Sequence, residues 1–118
     1  MISCNPETIQ KEVTDPFFSQ WDMLSIKIHE AHEQRNGQAK RLMEEGISLF
    51  EQLIVQCSST EEQSITMNNE YEVLPLNGLE RLSFIKARPA QYACYRQLDE
   101  LFKETKKKLA RLRIKARK

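Results

Sequence analysis

With 118 residues, 40% of them hydrophobic and 30% charged, the chain has material for one domain with one modest core. Three glycines and four prolines are too few turn residues for a sheet protein, and no uninterrupted apolar run reaches the roughly 18 residues that span a bilayer. The formal net charge of +1 conceals a division: residues 103–118 carry nine Lys/Arg and one Glu, a net of +8, whereas residues 1–102 carry nine basic and sixteen acidic side chains, a net of −7.

The first residues lack the basic, apolar and small-residue zones of a secretory signal. Residues 1–13 are polar and read as a loosely ordered N-terminus, although Asn5-Pro6-Glu7 could start a short helical turn. Residues 14–118 read as a single helical domain. Cys4, Cys57 and Cys94 are odd in number, far apart and in no C-x-x-C pattern. They read as reduced thiols, which points to a cytoplasmic protein.

The first helix is expected at Thr14-Asp15-Pro16, where Asp15 can cap free amides and Pro16 suits the first helical position. Phe17, Trp21, Leu24, Ile28 and Ala31 then recur at helical spacing and define one apolar stripe. Phe18 lies off that stripe and is expected to be exposed, so Phe17, Phe18 and Trp21 form a candidate interaction patch. Asn36-Gly37 is the natural stop, because both residues tolerate the left-handed conformation. A second helix follows over about 38–57, with Leu42, Gly46, Phe50, Leu53 and Cys57 in register, widened by Met43, Ile47 and Ile54. The register also allows one long helix through Gly37, but a hairpin is favoured, since a mid-helix glycine costs about 1 kcal/mol.

Residues 58–74 are poor in apolar side chains and read as a surface helix or a loop ending at Pro75. Between Leu42 and Glu80 there are eight Glu and no Lys or Arg. Asn77 and Glu80 have the spacing of a capped helix start, and Leu79, Leu82 and Ile85 define a short helix closed by Pro89. The last helix is expected to open at Pro89. Tyr92, Tyr95, Leu98, Phe102, Leu109 and Leu112 lie near one face of it, with Leu101 and Thr105 filling in. The fold class that results is all-α: an antiparallel bundle of three long helices plus one or two short ones, with a projecting basic C-terminal helix.

Motifs for catalysis are absent. His29 and His32 are spaced i, i+3, not the i, i+4 of the zinc-protease motif, and they flank the core stripe, so they read as a solvated surface and not as metal ligands. Glycines at 37, 46 and 78 cannot make a phosphate loop, and no histidine sits in pattern with a Ser or Cys nucleophile. The chain is therefore expected to be non-enzymatic and to use no cofactor.

The strongest remaining signal is the C-terminal helix. Lys103, Lys107, Arg111 and Lys115 fall at i, i+4 and form one row; Lys106, Arg113 and Arg117 form a second, and Lys108 lies beside them. Like charges at this spacing cost a helix a few tenths of a kcal/mol each, partly offset by the macrodipole near a C-terminus. A row of cations along a rod attracts phosphate backbones. If about five of them neutralised duplex phosphates, log affinity would fall against log salt with a slope of about −4 to −5. The expected partner is single-stranded or duplex nucleic acid, or else an acidic protein. Tyr92 and Tyr95 could stack on unpaired bases, but their spacing with Leu98 favours a core role. The basic stretch could also face the chain's own acidic segment.

The string LPLNGLERLSFIKARPAQYACYRQLDELFKETKK, Leu74–Lys107, resembles small bacterial primosomal replication-restart proteins of the PriB/PriC-domain type. That resemblance implies a helical, non-enzymatic adaptor that touches single-stranded DNA and other replication proteins. No site residue is carried over from it. The readings from other classes are a protein–protein module using the acidic segment 42–80, and a homo-oligomer that self-associates through its apolar stripes.

Overall fold

A computed structural model describes residues 1–117 and is all-helical, with no strand among those residues. Four helices follow in chain order: α1 (Lys11–Gln34), α2 (Ala39–Gln56), α3 (Gly78–Ala87) and α4 (Tyr92–Ala116). Among the described residues no helix is long and apolar enough to cross a membrane.

The α1–α2 junction is a hairpin, made by two residues with positive φ. Arg35 (φ 50°) closes α1 through its amide to the Ala31 carbonyl, and Gly37 (φ 78°) turns the chain. The Asn36 side chain then accepts the Gln38 amide at 3.0 Å. The turn thus falls where Asn36-Gly37 predicts, with the helix ending two residues earlier because Arg35 itself takes the left-handed cap.

α1 begins at Lys11, four residues before the expected Asp15 cap, and contains Pro16. The early start follows from the preceding segment. Asn5 organises a turn in which its side chain accepts the Glu7 amide (3.0 Å) and its carbonyl accepts Thr8 and Ile9. That turn drives Ile9 into the core with no exposure. The segment is then pinned from both sides: Ile2 bridges in parallel to Tyr71, Cys4 bridges to Ser58, and the Cys4 amide donates to Glu72 at 2.9 Å. Residues 1–10, which sequence periodicity leaves unassigned, are therefore held by backbone pairing and one buried isoleucine.

The core is built around Phe102 of α4. Trp21 of α1 stacks flat on it, with centroids 4.5 Å apart and planes at 9°; Phe50 of α2 meets it edge-on at 5.1 Å and Phe18 at 6.3 Å. Such aromatic geometries add about 0.5–1.5 kcal/mol per pair beyond area burial. Phe18 is consequently buried, contrary to its expected exposure, and a Phe17/Phe18/Trp21 surface patch does not exist. The stripe of α1 runs through Thr14, Phe18, Trp21, Ile28 and Ala31, one residue round from a stripe anchored on Phe17. Gly46 makes the Trp21 contact feasible: a Cβ there would stand 2.7 Å from Trp21 Cζ3 and 3.2 Å from Leu98 Cδ2. The glycine is a close-approach site, where α2 lies directly on the indole.

Contacts at both ends show that α1 and α4 run antiparallel. Thr14 meets Arg113 at one end, Trp21 meets Asp99 and Phe102 in the middle, and His32 meets Tyr92 at the other. α3 is clamped onto the bundle by two ion pairs. Arg81 grips Glu104 of α4 through both terminal guanidinium nitrogens (3.0 and 2.6 Å), and Lys86 reaches Glu51 of α2 at 3.3 Å.

Three further features of the bundle bear on chemistry. Cys57 and Cys94 are fully buried, and burial pushes the Cys57 thiol up to about 12, so little nucleophilic thiolate forms near neutral pH. His32 packs against Tyr92 and Tyr95, while His29 pairs with Glu33 at 3.0 Å. Thr105 is fully buried on α4, and its hydroxyl has no hydrogen-bond partner among the described residues. An unmet buried hydroxyl costs about 1–3 kcal/mol. The near-isosteric change Thr105→Val is therefore expected to stabilise the fold by roughly 1 kcal/mol, read as a rise in the midpoint of urea unfolding; a lowered midpoint would show that the hydroxyl is satisfied in solution.

Candidate nucleic-acid interface

The C-terminal half of α4 sorts its basic side chains by the 3.6-residue period. Leu98, Leu101, Phe102, Thr105, Leu109 and Leu112 form the inward stripe, and burial continues to Leu112. The helix is therefore packed along the bundle almost to its end and does not project from it. The apolar stripe that carries helix periodicity into the basic region is the same stripe that holds the region down.

This packing divides the eight basic positions expected to contact a polyanion. Arg113 faces inward: its guanidinium donates to the Ile9 carbonyl and, at 2.7 Å, to the Thr14 hydroxyl. It ties the N-terminal segment and the start of α1 to the end of α4. Lys108 lies against the 70–76 segment, and its ammonium donates to the Leu74 carbonyl at 2.6 Å. Burial pushes that ammonium below its ordinary value, and the nearby Arg111 acts in the same direction. Lys103 pairs with Asp99 at 2.8 Å, an interaction that raises its pKa. Asp99 also accepts the Trp21 indole N–H at 3.0 Å, so this pair belongs to the scaffold. The Lys106 ammonium sits 5.6 Å from the Phe18 ring centroid, a cation–π contact that leaves its charge exposed.

Lys107, Arg111, Lys115 and Arg117 are exposed, and none makes an ion pair among the described residues. Lys107, Arg111 and Lys115 stand at i, i+4 on one face over a run of about 12 Å. Lys118 lies outside the described residues. Three of the eight positions are thus structural or paired, and five, counting Lys106, offer charge to solvent.

A groove of about 1110 Å³ runs beside this face. It is lined by Leu74, Pro75 and Leu79, by Lys107 and Arg111 of α4, and by Glu70 and Glu80. Glu72 also lines the groove, and accepting the Cys4 amide holds its carboxyl below the usual range, with Lys115 and Lys108 contributing charge. Glu104 is held low by Arg81. The acidic segment therefore borders the cationic face, yet none of its carboxylates lies within ion-pair distance of a basic residue of α4 among the described residues.

Periodicity at 3.6 residues does not reveal this groove. The relevant signal is the alternation Glu70-Tyr71-Glu72-Val73, in which Tyr71 and Val73 are buried and the glutamates are not. A period of two marks an extended segment, and here it pairs with Ile2 through the Glu70 carbonyl and the Glu72 amide. Among the described residues no group of three or more His, Cys, Asp or Glu is placed to hold a metal ion.

Fold and site together define a small all-α protein with a cationic helix face. The sequence pattern of the YpoC-like protein family matches residues 11–117, and the chain belongs to that family. It is also similar to the uncharacterized protein YpoC of Bacillus subtilis (strain 168), at 51% identity over 37 residues. That stretch is 31% of this chain and 23% of the Bacillus protein, so the alignment spans under a quarter of that relative. No solved structure matches the chain. The family match overturns the resemblance of Leu74–Lys107 to primosomal replication-restart proteins. That stretch carries α3 and most of α4, and its apolar spacing is what any capped helical hairpin in a small bundle requires.

Proposed function

We propose that the chain is a non-enzymatic protein that binds single-stranded or duplex nucleic acid through the exposed cationic face of α4. The observation that carries this reading is the row Lys107, Arg111 and Lys115, flanked by Lys106 and Arg117, exposed and without internal carboxylate partners among the described residues. Cations that the fold has not neutralised keep their condensed-counterion chemistry available to phosphates. Lys103, Lys108 and Arg113 are left out of the binding set, because each already serves the fold.

Titration of labelled duplex and single-stranded DNA at several salt concentrations tests the reading. Five phosphate contacts give a log–log slope of about −4.5 on duplex and about −3.5 on single strands. The pair Lys107→Glu with Arg111→Glu is expected to weaken binding by more than about tenfold and to flatten the slope, with the helical circular-dichroism signal unchanged. Weak binding that ignores salt would sink the proposal, and equal retention by poly-glutamate would assign the face to acidic proteins instead.

A further inference from the structure

We propose that the outer face of the α1–α2 hairpin is a self-association surface, and that its occupant is a second copy of this chain. α1 turns Thr14, Phe18 and Trp21 inward, which leaves Met23 and Ile26 outside at 66% and 61% exposure. Beside them, α1 and α2 enclose a groove of about 740 Å³ lined by Met23, Leu24 and Leu49. One face therefore presents both protruding apolar side chains and an apolar recess.

The charges on this face identify the occupant. Arg41 is satisfied by Glu45 on the same helix, at 3.4 Å. Lys27 on α1 and Glu44 on α2 line the groove, are exposed, and make no ion pair among the described residues. The groove is left with one cation and one anion outside its own ion pair, and so has no net attraction for a polyanion or an anionic bilayer. A two-fold axis solves both halves of the problem at once, because an isologous contact that brings residue i to residue j also brings j to i. Lys27 of each copy then meets Glu44 of the other, and Met23 of each enters the other's recess. Desolvating the exposed methionine and isoleucine supplies the driving force.

This inference stands apart from the nucleic-acid reading, since no basic residue of α4 lines the groove. The experiment is run without nucleic acid. Sedimentation equilibrium of the full chain, from micromolar to sub-millimolar concentration, is expected to show a monomer–dimer equilibrium. Lys27→Glu and Glu44→Lys are each expected to raise the dimer dissociation constant about tenfold or more, through facing like charges. The first variant carries two acids on this face and the second two cations, so an equimolar mixture is expected to recover dimers. Met23→Asp is expected to abolish dimers, with the circular-dichroism spectrum confirming an intact fold. A wild-type chain that stays monomeric throughout overturns the proposal, as does a mixture of the charge variants that fails to associate.

Discussion

Replacing Trp21 with alanine is expected to destabilise the fold by about 3–5 kcal/mol, the range for emptying a large aromatic site in a core. The indole is 2% exposed, stacks on Phe102, and fills the space that Gly46 leaves open on α2. Its ring N–H is the Asp99 partner that joins α1 to α4. Removing it therefore separates three helices at their common point. Collapse is limited, because Phe102 is also held edge-on by Phe50 and Phe18 and cannot shift without loosening both. A domain of this size has roughly 5–15 kcal/mol of stability, so the loss is a substantial part of the total. In thermal unfolding followed by circular dichroism, the expected fall in Tm is about 15 °C. A fall of only a few degrees would mean that the stacked arrangement is not the solution core.

The second large effect is expected at Arg113, a residue whose charge suggests binding and whose position makes it structural. The change Arg113→Met keeps the aliphatic bulk and removes the donors to the Ile9 carbonyl and the Thr14 hydroxyl. Hydrogen bonds from a charged donor contribute about 1.5–3 kcal/mol each, and both acceptors lie in buried residues. A net loss of about 3 kcal/mol is expected. It should appear first as faster proteolytic cleavage within residues 1–10, because Arg113 is what fastens that segment to the far end of the chain. Affinity for DNA is expected to change far less than in the Lys107→Glu, Arg111→Glu pair. If instead Arg113→Met weakened DNA binding as strongly as that pair while the N-terminus stayed protected, Arg113 would belong to the binding face.

The contrast between Arg113 and Arg111 shows where sequence reasoning stops. Two residues apart, they differ by about 200° around the helix, so one faces Ile9 and Thr14 and the other faces solvent. The run of cations is plain in the sequence, but which of them are already committed depends on what packs alongside. Lys108 is the same case: its partner is a backbone carbonyl 34 positions earlier, and nothing in side-chain identity announces it. The N-terminal segment was illegible for a related reason. It is held by backbone hydrogen bonds to residues 57–72, and backbone groups carry no sequence signature.

Some properties were readable from order and spacing alone. The all-helical class, the break near Asn36-Gly37, the short helix before Pro89, and the inward placement of Leu98, Phe102, Leu109 and Leu112 all come from local physics: the helical period, the left-handed turn and the constraint before proline. Tertiary structure alone decided the burial of Phe18, the flat contact of Trp21 on Phe102 across Gly46, and the division of one basic helix into tethers and free charge. A residue's period places it on its own helix, whereas its function depends on which distant atoms that helix is laid against.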